Sequence, residues 1–374
     1  MSQLFSPLTL RDVTFRNRTV VAPMCQYSAK NGLANDFHLV HLGRFAMGGF
    51  GLVILEATGV VPEGRISYGD LGLWDDAHIA PLKRIVDFLH QEGSAAGIQL
   101  GHAGRKAATP LAWRNGFDET EEEKAAVAFE TWVPVAPSAE RHSDNPDFQM
   151  PTALDADGIQ RVIQGFVDAT KRSDAAGFDV VEIHAAHGYL LSQFLSPLAN
   201  HRTDAYGGSR ENRMRLLLEV TEAVRAVWPE GKPLFVRISA VDGSPGGWTI
   251  EDSKVLTHEL KARGVDLIDC SSGGFSGYGL KAAPHYQVDL ADAVRAAGLP
   301  TIAVGLIDDP EGAEAILAQG QADLIALARG ALEDPNWPLH ARHQLEGGGD
   351  AYQLWPKQAR DRIRDMDRVL GRRQ

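Results

Sequence analysis

The chain has 374 residues, 44% hydrophobic and 23% charged, a composition that allows a large buried core. Its 37 basic residues against 49 acidic ones leave a formal net charge of −12, which argues against a nucleic-acid surface and against an anchor on an anionic membrane. The two cysteines, Cys25 and Cys270, exclude a disulfide framework and a cysteine-ligated iron–sulfur cluster, which takes about four thiolates.

The first residues, Met1-Ser2-Gln3-Leu4-Phe5, show no basic segment ahead of an apolar core, and no apolar run approaches the ~20 residues of a membrane span. The expectation is a soluble cytoplasmic protein. Residues 4–15 are short and alternating, with Arg11-Asp12 as a turn, and predict a β-hairpin that closes one end of the fold. Beyond them one unit recurs, in which a helical pattern ends at a glycine and a short apolar strand begins a few residues later. Glycine suits the left-handed conformation that closes a helix, and unbroken apolar runs suit parallel strands buried on both faces. Strand one is Thr19-Val20-Val21-Ala22. Gly49 then precedes Leu52-Val53-Ile54-Leu55, and Gly93 precedes Gly97-Ile98-Gln99-Leu100. Gly177 precedes Val180-Val181, Gly231 precedes Leu234-Phe235-Val236, and Gly264 precedes Val265-Asp266-Leu267-Ile268. The last two are Thr301-Ile302-Ala303-Val304 after Gly298 and Asp323-Leu324-Ile325-Ala326-Leu327 after Gly320.

Between strands, Ile159, Val162, Ile163, Phe166 and Val167 fall on one helical face, as do Met214, Leu217, Leu218, Thr221 and Val224. Thr249-Ile250-Glu251-Asp252 resembles a capping box, and Asp309-Pro310 an N-cap followed by proline. Eight alternations of strand and helix, with no G-x-G-x-x-G after an early strand, predict an α/β fold of the (β/α)8 TIM-barrel type rather than an open doubly wound sheet. It is expected to be one domain over residues 1–374, with a charged C-terminal extension from position 350 or so. Residues 101–151, after strand three, carry several prolines and the acidic run Glu119-Thr120-Glu121-Glu122-Glu123. So long a connection reads as a lid, a binding loop or a mobile segment, its acidic part as a solvated excursion. Arg105-Lys106 and the arginines of residues 360–373 also read as solvated faces.

In such a barrel the active site lies at the C-terminal strand ends. Those ends present Pro23, Met24, Cys25 and Tyr27 after strand one; Glu56, Ala57 and Thr58 after strand two; and Gln99, His102, Arg105 and Lys106 at strand three. Strand four delivers His184, His187 and Tyr189, and strand five Arg237. Ser271, Ser272, Gly273 and Gly274 follow strand six, Gly305 strand seven, and Ala328, Arg329 and Gly330 strand eight. Glycine-rich turns opening onto helices after strands seven and eight, with Arg329 as a clamp, predict a phosphate on the ligand. The histidine pair admits three readings. His184 and His187 could ligate a metal with Glu182 as a third ligand, or be satisfied core residues. As a polar clamp, two imidazole N–H donors would stabilise negative charge on one oxygen, with Tyr189 as the matching proton donor.

The motif His184-Ala185-Ala186-His187-Gly188-Tyr189-Leu190, followed by Gln193-Phe194-Leu195-Ser196-Pro197 and Asn200-His201-Arg202-Thr203-Asp204-Ala205-Tyr206-Gly207-Gly208-Ser209, resembles the old yellow enzyme family of FMN-dependent ene-reductases. So do Glu211-Asn212-Arg213-Met214-Arg215, Asn17-Arg18, and Gln99-Leu100-Gly101-His102-Ala103-Gly104-Arg105-Lys106. Pro23-Met24-Cys25-Gln26-Tyr27 is similar to the bacterial YqjM-like and xenobiotic-reductase-like subgroup, where other branches usually carry threonine at the position of Cys25. The resemblance implies that Pro23, Met24, Cys25, Ala57 and Gln99 line the flavin ring, with Gln99 on its pyrimidine edge and Arg237 near its N1/O2 side. It implies that Ser272, Gly273, Gly305, Ala328 and Arg329 hold the phosphate. His184 and His187 would bind the substrate oxygen, Tyr189 would protonate the α-carbon, and Tyr27 would contact the substrate from the other side. NADPH or NADH would reduce FMN, and an activated alkene (an enone, an enal or a nitro compound) would then be reduced in a ping-pong cycle. The relatives further imply a homodimer or homotetramer. In some of them a C-terminal residue of a neighbouring subunit completes the pocket, which makes Trp355 a candidate substrate contact.

Overall fold

The computed structural model describes residues 2–114, 116–127, 129–275, 279–347 and 349–372. It opens with the expected antiparallel hairpin, β1 (Leu8–Leu10) against β2 (Val13–Phe15). Barrel strands β3 (Thr19–Val21), β4 (Leu52–Gly59) and β5 (Ala95–Gly101) follow. Two short strands, β6 (Val135–Ala136) and β7 (Thr152–Ala153), pair with each other outside the barrel. The series resumes with β8 (Val180–Ala185), β9 (Leu234–Ser239), β10 (Leu267–Ser271), β11 (Thr301–Val304) and β12 (Leu324–Leu327). The closed order β10-β11-β12-β3-β4-β5-β8-β9 is parallel throughout, a (β/α)8 barrel. All eight strands stand where the apolar runs put them.

The helices are α1 (Asp36–Met47), α2 (Ile79–Gln91), α3 (Glu121–Val127), α4 (Ala156–Ala176), α5 (Leu190–Leu195) and α6 (Arg210–Val227). After them come α7 (Ile250–Ala262), α8 (Val288–Arg295), α9 (Pro310–Ala318), α10 (Arg329–Glu333), α11 (Trp337–Glu346) and α12 (Lys357–Leu370). Their ends are set locally. Thr249 and Asp252 form a reciprocal capping box on α7, and Asp309 accepts from Gly312 N at 2.7 Å with Pro310 opening α9. Gly177 closes α4 at φ +91°, where a side chain would be strained. Among the described residues no helix is long and apolar enough to cross a membrane.

Two apolar layers follow from strands buried on both faces. Outside the barrel, Leu55, Ile98, Val181 and Val236 meet helix residues such as Phe45, Phe166 and Leu217. Inside it, Val20, Leu52, Val180, Phe235, Leu267 and Leu324 fill the N-terminal half, and Phe15 of the hairpin plugs the floor, its ring 6.3 Å from that of Phe235. The apolar filling stops below the C-terminal rim, where Gln99, Glu182, Arg237 and Asp269 take over the interior.

The long excursion after β5 is solvated along Thr120 to Glu123, as expected of its acidic part, but is anchored at its two ends. Thr120 and Glu123 cap α3 reciprocally, at 2.8 and 3.2 Å. Arg114 reaches Asp118 at 3.0 Å, Glu119 at 3.5 Å and Glu123 at 2.9 Å, and Glu119 is buried, accepting from the Tyr68 hydroxyl. A second anchor is Arg65, 1% exposed, whose guanidinium lies 5.0 Å from the Trp74 ring and 4.6 Å from that of Trp132 and pairs with Glu130 at 2.8 Å.

Candidate active site

The turn after β8 carries the densest chemistry. His187 and Gly188 are both left-handed, with φ of +59° and +68°. Only glycine fits the second position, because a Cβ on Gly188 would lie 2.3 Å from the Gly274 carbonyl oxygen. The turn folds back on the strand, so that the His184 ring centroid lies 5.2 Å from His187 and 5.0 Å from Tyr189. Lys106 Nζ donates to the His187 carbonyl at 2.7 Å and stands 5.3 Å over the Tyr189 ring, while His187 N donates to Ser239 Oγ at 2.9 Å.

Electrostatics fix the protonation of all three. Burial, then the positive charge of Arg237, holds both imidazoles well below their ordinary range, so each is neutral. His184 Nδ1 accepts from Ala186 N at 3.4 Å, which leaves its proton on Nε2; His187 Nε2 sits 2.7 Å from Ser271 Oγ. Burial pushes the Tyr189 phenol well above its ordinary value, so it keeps its proton. On the neighbouring strand ends Pro23, Met24, Cys25 and Ala57 are partly exposed, a surface out of place above so tightly filled a barrel. Burial, with Asp70 and Glu56 nearby, raises the Cys25 thiol, which stays protonated, and the Tyr27 phenol likewise. Tyr27 holds a left-handed φ of +50° and leans on Trp113 of the excursion at 6.1 Å. Ala57, Asp70, His102, His184 and Tyr189 line one narrow cavity.

Beyond Arg237 a cavity of ≈ 280 Å³ opens over the ends of β10 to β12, lined among others by Gly305, Asp308, Ala328, Arg329 and Gly330. Gln287, buried, forms its wall: it donates to Val304 O at 2.8 Å and accepts from Ser272 Oγ at 2.6 Å.

A sequence profile of the NADH:flavin oxidoreductase / NADH oxidase family matches residues 3–347. The chain belongs to this family. An NADPH dehydrogenase of Bacillus cytotoxicus is 47% identical over 347 residues, 92% of this chain and 93% of the relative. Among solved structures, morphinone reductase superposes with a TM-score of 0.75 at 28% identity, covering 94% of this chain and 92% of that one. A 2-naphthoyl-CoA reductase gives 0.80 at 26% identity over 90% of this chain but 51% of its own, so this chain spans about half of that protein. The protein is therefore an NAD(P)H-dependent FMN oxidoreductase of the old yellow enzyme family.

The residues of this flavin oxidoreductase fit FMN on three observations. Arg237, whose Nε pairs with Asp269 at 3.1 Å, lines the cavity that also holds Arg329, so two guanidinium groups face one space. Gly305, at φ +134°, brings bare backbone to that cavity. The partly exposed Pro23, Met24 and Ala57 offer an apolar wall to a flat ring.

Several expectations need correction. Gly273 N–H already donates to Val241 O at 2.8 Å and so has no proton to offer a phosphate. The helix after strand eight, α10, has only 5 residues, too short for much of a dipole, so Arg329 is the stronger feature there. Arg105 and Lys106 are not a solvated face: Arg105 is 5% exposed against Phe275, and Lys106 is spent on the His187 turn. Trp355 does not line the site of its own chain. It shares a cavity with Arg16, Met47 and Glu92, and Arg16 bonds the Phe50 and Glu92 carbonyls ahead of β4 and β5, at the barrel's other end. The metal reading loses its third ligand, because Glu182 Oε1 accepts from Gln99 Nε2 at 2.8 Å inside the barrel, and no group of three or more possible ligands occurs among the described residues. Sequence reading passed over Asp70, Asp269 and Gln287. The one signal for Asp269 was an acid inside an apolar strand, between Ile268 and Cys270.

Proposed function

We propose that this flavin oxidoreductase reduces the C=C bond of an activated alkene: an enone, an enal or a nitro compound. The observation that carries this reading is the clustering of two neutral imidazoles and one protonated phenol at the end of β8, with His184 and Tyr189 on a cavity shared with Ala57. Bound FMN supplies hydride equivalents taken from NAD(P)H. Around it, Pro23, Met24, Cys25, Ala57 and Gln99 would line the ring, Arg237 its N1/O2 side, and Ser272, Gly305, Ala328 and Arg329 the phosphate.

His184 and His187 would receive the carbonyl or nitro oxygen. A neutral imidazole has one N–H to give, and that donor strengthens as the oxygen becomes enolate-like, so the clamp acts on the transition state more than on the substrate. Loss of one such donor costs about 3 to 4 kcal/mol of barrier. His187 Nε2 would exchange Ser271 for the substrate oxygen. Tyr189, a weakened acid, would give its proton only to a strongly basic atom, which the α-carbon becomes once the β-carbon is reduced. Tyr27 would touch the substrate from the opposite side. Beyond Tyr189 a second cavity of ≈ 330 Å³, walled by Ile66, Leu111 and Phe148 with Thr109 and His142, would take the rest of the molecule. The test is a visible spectrum of the purified protein, titrated anaerobically with NADPH and then with 2-cyclohexenone. Bleaching by the first and recovery by the second is expected; bleaching without recovery would refute alkene reduction while leaving the flavin in place.

A further inference from the structure

Below the rim, four adjacent strands of the barrel contribute a polar layer. Gln99, Glu182, Arg237 and Asp269 are 2%, 0%, 6% and 0% exposed. Gln99 and Glu182 are register partners on β5 and β8, and Arg237 and Asp269 on β9 and β10. Gln99 Nε2 donates to Glu182 Oε1 at 2.8 Å, and Arg237 Nε lies 3.1 Å from Asp269 Oδ2. Between these pairs the Glu182 and Asp269 carboxyls are close enough for each to act on the other's hold on a proton. Yet Glu182 Oε2 and both oxygens of Asp269 are buried with no hydrogen-bond donor among the described residues.

Two carboxylates there would set acceptor against acceptor, with one guanidinium between two negative charges. An unpaired buried acceptor is unfavourable, and an uncompensated buried charge more so. A single shared proton removes both penalties.

We propose that Glu182 is held as the neutral carboxylic acid and bridges Gln99 to Asp269, its Oε1 accepting from Gln99 and its Oε2–H donating to an ionised Asp269 that pairs with Arg237. Burial, then the charge of Asp269, pushes Glu182 above the carboxylate range, and the ion pair at 3.1 Å belongs to Asp269, so the proton stays on Glu182. Glu182 is then a positioning residue. One N–H of the Gln99 amide is held by Glu182, which fixes the amide's orientation and turns its carbonyl oxygen towards a ligand N–H. The layer carries no net charge, whereas two carboxylates against one arginine would make it −1 and oppose the electrons a flavin takes up. This consequence rests on the proposed contact of Gln99 and Arg237 with FMN; the shared proton does not.

The test combines infrared spectroscopy with FMN titration. At pH 7, with or without FMN, the native-minus-Glu182→Gln difference spectrum should show the carbonyl band of a buried protonated carboxylic acid, apart from any band of the buried Asp70. Glutamine copies the neutral acid, with a carbonyl towards Gln99 and an N–H towards Asp269, so Glu182→Gln should bind FMN within about twofold of native. Glu182→Leu, which frees Gln99, should bind about threefold to tenfold more weakly, the loss of one hydrogen bond. Absence of an acid band from that difference spectrum overturns the proposal. Native-like FMN affinity in Glu182→Leu overturns the positioning role, provided that Gln99→Ala weakens binding. If Gln99→Ala also binds as native does, the contact of Gln99 with FMN fails, and the band alone decides the proton. Melting curves of each variant confirm that the barrel is folded.

Discussion

Tyr189→Phe removes one oxygen and leaves the ring in place against His184 at 5.0 Å and under Lys106 at 5.3 Å, so the fold should be nearly unaffected. General acid catalysis is worth about 10²- to 10⁴-fold, or about 2.7 to 5.5 kcal/mol. The surroundings place this case in the middle to upper part of that range. The two imidazoles are neutral and reserved for the substrate oxygen, and Lys106 donates its ammonium to the His187 carbonyl. The expected loss is about 10³-fold, roughly 4 kcal/mol, confined to the step in which the alkene is reduced. Stopped-flow absorbance separates the two halves of the cycle. Flavin bleaching by NADPH should keep its native rate, and anaerobic recovery with 2-cyclohexenone should slow by about that factor. Recovery within about threefold of native would remove Tyr189 from the acid role. Because burial holds the phenol above its ordinary pKa of about 10, ionisation of Tyr189 should not limit the native rate below that pH.

Gly188→Ala forces a side chain onto a backbone at φ +68° and 2.3 Å from the Gly274 carbonyl oxygen, so the turn must shift. The backbone conformation alone costs about 1–2 kcal/mol, and the displaced His187 and Tyr189 should lower kcat/KM with cyclohexenone by at least about 10-fold; a native value would show the turn to be compliant. Arg65→Ala removes a buried guanidinium from between two tryptophans along with its pairing to Glu130, and should destabilise the excursion by about 2–4 kcal/mol. Limited proteolysis should then cut near Trp132 while the barrel stays protected, and an unchanged digest would refute the anchor. Buried neutral histidines make stability depend on acid. His102 is lowered to about 3, against an ordinary value near 6.5, so an unfolded chain binds a proton that the folded one refuses. Its contribution is complete above pH 6.5 and falls by about 1.4 kcal/mol per unit as the pH drops from there towards 3, with His184 and His187 acting in the same direction. Urea midpoints should decline below pH 6.5, less steeply in His102→Gln, and identical slopes in the two proteins would refute the assignment.

The parts of this molecule that could be read in the chain are those whose cause is local. Strands such as Leu324–Leu327 are apolar throughout because both faces are buried, and the helix starts at Thr249 and Asp309 depend on a side chain reaching only three residues ahead. The histidines and tyrosine of residues 184–189 were legible for the same reason, being delivered together by one strand and one turn. The acidic run near Glu121 is solvated as its composition suggests, but the burial of Glu119 against Tyr68 could not be read, because no spacing rule ties the two.

Residue order alone was sufficient for the eight strands, their parallel arrangement, the rim that carries the chemistry and the family to which the chain belongs. Closing the barrel settled the rest. It brought Gln99, Glu182, Arg237 and Asp269 into one buried layer, and with it the contacts on which the charge of the two acids depends. It set Asp70 near Cys25 and in one cavity with Tyr189, committed Gly273 N–H to Val241, and carried Trp355 to the floor, away from its own site. These outcomes depend on contacts between residues tens to hundreds of positions apart. Protonation states and hydrogen-bond partners there are set by burial and by which neighbour arrives first, and neither has a periodicity that a sequence can display.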